Sequence, residues 1–153
     1  FSPANFGVGA DCLENIKWRI QNGELERIAP ERLVLLAGTN NLPIQEADTV
    51  SAGIIELIQI IRDKLPQTRL LVLALFPRSP DENGMVFDDK IKAVNQTLAN
   101  YCAENKLHYA DYGQLFLSKD GSINRNLLED GLHLNAEGYK LLGPKLVDRL
   151  KAL

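Results

Sequence analysis

Asp130-Gly131-Leu132-His133 sets a carboxylate three residues before an imidazole, with a glycine between them to favour a turn. In such a turn the carboxylate can hold the ring's tautomer and support its far nitrogen as a general base; the other reading is a capping Asp beside a surface His. Gly38-Thr39-Asn40-Asn41 sets amide side chains directly after an apolar run. A neutral amide donor there can stabilise a tetrahedral oxyanion without competing as a nucleophile, although Asn is also an ordinary turn residue. The third cluster, Asn5-Phe6-Gly7-Val8-Gly9-Ala10-Asp11, joins small residues between an expected strand end and a helix N-terminus. Backbone N–H groups of such a turn can face an anion, and a purely structural tight turn is the alternative.

These clusters need a scaffold, and hydrophobic periodicity supplies one. Asp11 and Glu14 have capping-box spacing, and Leu13, Ile16 and Ile20 follow at helical intervals until Asn22-Gly23. Leu33 to Ala37 and Leu70 to Phe76 are continuous apolar runs, as in strands covered on both faces, and His108 to Tyr112 reads as a weaker third strand. Between them Ile54, Leu57, Ile58, Ile61 and Leu65 form one helical stripe ended by Pro66, and Asp88 should cap a helix carrying Ile91, Val94, Leu98 and Tyr101. Asn135 is placed to cap a final helix that Pro144 should kink or divide. Strands alternating with helices imply βαβ crossovers and a parallel sheet, where ligands bind outside the carboxyl ends of the strands. The three clusters are expected to meet this test of position.

Composition narrows the classes. With 153 residues, 45% hydrophobic and 24% charged, the chain suits one core and one domain. Lys+Arg 17 against Asp+Glu 20 gives a net charge of -3, with no basic run to attract nucleic acid. No apolar stretch approaches the ~20 residues of a membrane span. Cys12 and Cys102 lack metal or disulfide spacing and are expected as buried thiols. No G-x-G-x-x-G or P-loop supports nucleotide binding. Arg78, after Pro77 at a strand end, has the chemistry for a substrate carboxylate or phosphate, with a surface salt bridge as the alternative. Trp18 and Tyr139 are expected to be packing residues. Phe1 is neither an initiator Met nor the head of a signal peptide, so the true N-terminus is expected upstream, and the compartment is not legible beyond a slight lean to the cytoplasm.

Taken in order, Asn5-Phe6-Gly7-Val8-Gly9-Ala10, Gly38-Thr39-Asn40-Asn41 and Asp130-Gly131-Leu132-His133-Leu134-Asn135 resemble the later motif blocks of the GDSL/SGNH hydrolases, in particular the platelet-activating-factor acetylhydrolase catalytic subunits. The likeness takes in Phe1-Ser2-Pro3, Trp18-Arg19, Asn22 to Glu26 and Pro77-Arg78 as well. It implies a three-layer α/β/α, flavodoxin-like fold spanning 1–153. Asn40 would donate its side-chain amide to the oxyanion, His133 would be the base and Asp130 its carboxylate. The family's oxyanion glycine aligns with Ala10, which can serve through its N–H if the turn keeps φ negative. The family's Gly-Asp-Ser block is not found, and Ser2 belongs to Phe1-Ser2-Pro3 instead. Ser51, Ser79, Ser118 and Ser122 are expected as solvated surface residues. The resemblance therefore implies an N-terminally truncated SGNH hydrolase domain, first strand absent, from a serine esterase of small acyl esters of lipid or carbohydrate. The nucleophile would lie upstream and the chain alone would be inactive. The alternative is a non-catalytic SGNH-fold protein that binds a ligand or partner. A small-molecule ester is the expected partner, no metal or organic cofactor is implied, and a homodimer is left open.

Overall fold

The computed structural model describes residues 2–153. Three strands, β1 (Arg32–Leu35), β2 (Arg69–Leu73) and β3 (His108–Ala110), form a parallel sheet in the order β1-β2-β3. The pairing sets Leu33 opposite Leu70 and Val72 opposite Tyr109. The crossovers are helices α2 (Ala47–Lys64) and α3 (Asp88–Glu104), which pack on each other and so share one face; α1 (Leu13–Arg19) packs beside α2. This is the α/β architecture that the alternation of apolar runs implies.

Period 2 along β2 explains how one strand serves two faces. Leu70 and Val72 enter the main core with Ile54, Leu57, Ile58, Val94 and Leu98. Leu71 and Leu73 are also buried and point the other way. Burying one such side chain is worth about 1.5–3 kcal/mol, so this stripe far outweighs any capping bond. Phe116, Leu128 and Leu142 make a smaller second core joining the long loop after β3 to α4 (Ala136–Lys151). No helix among the described residues is long and apolar enough to cross a membrane.

Several boundaries differ from the sequence reading, each for a local reason. β2 ends before Phe76 because the Asn95 side chain replaces the ladder at Leu75, accepting from its N–H at 2.7 Å and donating to its carbonyl at 2.9 Å. β1 is not covered on both faces: Leu33 and Val34 are half-buried, Leu36 beyond it is exposed, and among the described residues its only strand partner is β2. Cys12, not Asp11, is the N-cap of α1, and Asn15 takes the reciprocal bond from the Cys12 N–H at 2.9 Å. α3 is capped by buried Phe87, with Asp88 inside its first turn. Asn135 does cap α4, its side chain accepting from the N–H groups of Glu137 and Gly138. Pro144 does not divide that helix, which runs unbroken to Lys151. Residues 2–8 hold no strand. Trp18 and Tyr139 are each 64% exposed, so neither is a packing residue.

Candidate active site

The base half of the site is a turn built on one carboxylate. Asp130 Oδ1 accepts from the backbone N–H groups of Leu132 at 2.9 Å and His133 at 2.8 Å, while Oδ2 lies 2.6 Å from His133 Nδ1. Asp130 and His133 are thus within hydrogen-bond reach, as the D-x-x-H spacing anticipates. The His133 side-chain bond, then the two backbone N–H groups, holds the Asp130 carboxyl far below the usual carboxylate range. A proton on Nδ1 shared with that carboxylate leaves Nε2 as the acceptor, the form a general base requires. The His133 side chain is 78% exposed, so Nε2 opens to solvent at a cleft of about 360 Å³ lined by Glu129, Asp130, His133, Leu134 and Asn135. Gly131, at φ 80°, permits this turn, and a Cβ there would sit 2.2 Å from Ser79 Oγ.

The amide half lies past β1. Gly38 takes φ 112° where a Cβ would meet Ile54 Cδ1 at 2.9 Å, which tightens the turn carrying the next three residues. Asn40 Nδ2 donates to the Asp11 carbonyl at 2.9 Å, and the Cys12 thiol lies 3.8 Å from the Asn40 carbonyl. An amide nitrogen carries two protons, so one remains for another acceptor. Asn41 differs from its neighbour: fully buried, it accepts from Leu13 N–H at 3.0 Å and donates to Glu14 and Gln45. Glu14 therefore serves this network and not the expected capping box, a role its sequence spacing concealed because its partners Asn41 and Gln45 lie 27 and 31 residues on, past β1.

Ala10 stands beside this turn, one residue before the Asp11 carbonyl that fixes Asn40. Its φ is 65°, so the condition of a negative φ is not met. Left-handed backbone costs an L-residue roughly 1–2 kcal/mol, which accounts for a glycine being the easier residue here. The N–H direction is set by the plane of the preceding Gly9–Ala10 peptide, so the positive φ strains the residue without removing the donor, and no described residue accepts from that N–H.

Arg78 and Ser79 stand between the halves. Among the described residues Arg78 makes no direct salt bridge, though Asp81 acts on it through space: its guanidinium lies 4.4 Å over the Phe87 ring and Nη1 donates to the Thr39 carbonyl at 2.9 Å. Ser79 N–H donates to the Gly131 carbonyl at 2.8 Å, and its Oγ accepts from Arg125 at 2.8 Å, so Ser79 is not simply solvated. Ser51 is buried on α2 and donates to the Ala47 carbonyl, a second departure from the surface expectation. Cys12 is half-exposed rather than buried, and desolvation with Glu14 and Asp11 nearby pushes its thiol up, the opposite of nucleophile activation. A larger cleft of about 890 Å³ includes Arg78, Ser79, Lys92 and Arg125. Neither cleft is lined by Asn40 or Ala10, so the structure gathers Asn40 with Ala10, and Asp130 with His133, as two pairs joined through Arg78-Ser79.

With this geometry in place, the family model for the GDSL-like lipase/acylhydrolase family matches residues 2–141. The chain belongs to that family. GDSL-like relatives include platelet-activating factor acetylhydrolase IB subunit alpha1 of Bos taurus, 36% identical over 143 residues, covering 91% of this chain and 60% of the relative. Subunit alpha2 of Homo sapiens is 38% identical over 145 residues, covering 91% and 61%. The chain thus spans about three fifths of the length of these relatives. A GDSL-like lipase crystal structure from Bacteroides thetaiotaomicron shares the fold at TM-score 0.81 and 19% identity, covering 96% of this chain and 75% of that one.

Proposed function

We propose that this GDSL-like chain supplies the base and oxyanion donors of a serine ester hydrolase acting on small, acetyl-like acyl esters of lipid or carbohydrate. The nucleophilic serine belongs to a segment preceding Phe1. That serine gives its proton to His133 Nε2 as it attacks the acyl carbon. Asp130 keeps the imidazole in the required tautomer and balances the imidazolium that forms. The free proton of Asn40 Nδ2 and the Ala10 N–H stabilise the tetrahedral oxyanion. Collapse expels the alcohol, which takes the proton from His133, and water repeats the sequence to release the acid.

The observation that carries this reading is the 2.6 Å contact from Asp130 to His133 Nδ1 on a carboxylate already held by two backbone N–H groups. A mere helix cap would not need the ring. The names of the relatives, acetylhydrolases among them, support the acyl class. In the protein extended upstream, His133→Ala should lower turnover of a p-nitrophenyl acetate substrate by about 10⁴-fold or more, the scale of losing a triad base. An unchanged rate would remove His133 from the mechanism. One observation favours a second reading, a non-catalytic binding protein: no serine among the described residues hydrogen-bonds His133. Absence of ester turnover in the extended protein would select it.

A further inference from the structure

β2 is the middle strand, so the segment leaving its carboxyl end runs between the loop after β1 and the long loop after β3. Two adjacent residues of that segment grip both loops. Arg78 Nη1 bonds the carbonyl of Thr39, the residue before Asn40, at 2.9 Å. Ser79 N–H bonds the carbonyl of Gly131, which lies between Asp130 and His133, at 2.8 Å. Ser79 Oγ also accepts from Arg125 Nη2 at 2.8 Å, and Arg125 Nη1 donates to the Glu129 carbonyl at 3.2 Å, a second tether on the base turn.

The chemistry of Arg78 is that of a fixed spacer. Among the described residues no carboxylate forms a direct ion pair with it, Asp81 acting only through space; its Nε is buried without an acceptor, and its planar face rests on Phe87, itself fully buried at the head of α3. Partial burial of a guanidinium with no direct carboxylate contact costs stability, and a surface loop has cheaper ways to end. Ion pairing therefore does not account for its placement. A planar fork stacked on a rigid ring has few alternative directions in which to donate, so the bond to Thr39 has a defined aim that a flexible ammonium would lack.

We infer that Arg78 and Ser79 form a strut that sets the spacing of the Asn40 amide from the His133 imidazole, making Arg78 a positioning residue for ester hydrolysis. It touches neither reacting atom and works through the Thr39-Asn40 peptide. The inference rests on the hydrolase reading above, and the tests separate the two.

Arg78→Met keeps the length and the apolar contact with Phe87 while removing the donor. In the upstream-extended protein it should lower kcat about 10- to 100-fold with KM within about twofold, the scale of misplacing an oriented group. In the Asn40→Ala background the same change should cost nothing further, because its effect passes through Asn40. A multiplicative loss in the double variant would overturn the strut. If His133→Ala and Asn40→Ala keep full activity, it is the hydrolase reading that fails. A second readout needs no activity: in ¹H–¹⁵N spectra of the 153-residue chain, Arg78→Met should shift the Asn40 side-chain amide and the Gly131 and His133 backbone amides together. Ser79→Ala, which spares Phe87 and the fold of that face, should move the base-turn signals through loss of Arg125. Movement at Asn40 alone, with the base turn undisturbed by either variant, would refute the coupling.

Discussion

Asp130 and Ala10 show how far single side chains depart from the behaviour of their residue types. Asp130 accepts three N–H bonds, and the side-chain bond from His133 is the largest cause of its lowered pKa. Because the native value lies below the unfolded one, its stabilising contribution is fully present above the unfolded carboxyl value of about 4 and fades only as pH falls through the native value. A ¹³C carboxyl titration should therefore show no Asp130 inflection above about pH 3, and His133→Ala should bring one back toward about pH 4. An ordinary inflection in the unmutated protein would mean the carboxylate does not hold the ring. The acid limb of any rate profile, by the same argument, does not belong to Asp130. Ala10 holds φ 65°. Relief of that strain by Ala10→Gly, partly offset by the entropy glycine loses on folding, should raise stability by about 0.5–1 kcal/mol, read from the urea midpoint at constant m. A loss of stability would show that the methyl group, not the backbone, decides this position.

The consecutive asparagines after β1 divide their labour between site and scaffold. Asn41 is buried and joins the first N–H of α1 to Glu14 and Gln45, so it fixes α1 to the loop that starts α2. Asn40 uses one proton on the Asp11 carbonyl and is half-exposed. Asn41→Ala leaves a buried helix N–H without its acceptor and removes the bonds to Glu14 and Gln45, which still bond each other at 2.7 Å, and should cost about 1–3 kcal/mol in denaturant unfolding. Asn40→Ala should cost less than half of that while lowering ester turnover of the extended protein by about 10²–10³-fold. The reverse ordering, Asn40 dominating stability and Asn41 dominating rate, would exchange their roles. A run of two identical residues contains no signal for this difference. It follows from a loop whose successive side chains take different surroundings, Asn41 buried between α1 and the start of α2 and Asn40 half-exposed against the Asp11 carbonyl.

For the whole molecule the weak point is the outer edge of β1, which no strand among the described residues covers. Leu33 and Val34 are half-buried, Leu36, Phe6 and Val8 are exposed, and α4 buries only Gly138 and Leu142 fully. The 153-residue chain by itself should therefore bind a dye for exposed apolar surface, and it should stay unlabelled by a serine-directed fluorophosphonate. Stoichiometric labelling at Ser2, lost in Ser2→Ala, would instead make the nucleophile a residue of this chain. The sequence by itself determined the parallel sheet, the two crossover helices, the Asn135 cap and the D-x-x-H turn. Each depends on periodicity or on partners within a few residues. Tertiary structure alone decided the rest. Whether Ala10 keeps a negative φ, which Asn is buried, what Glu14 bonds and what Arg78 stacks on depend on partners separated by a handful to several tens of residues, where spacing along the chain carries no distance information. Asn95 of α3 ending β2 at Leu75, and Arg125 reaching Ser79, are of that kind: such contacts exist only once helices are packed on the sheet and its carboxyl ends are brought to one edge.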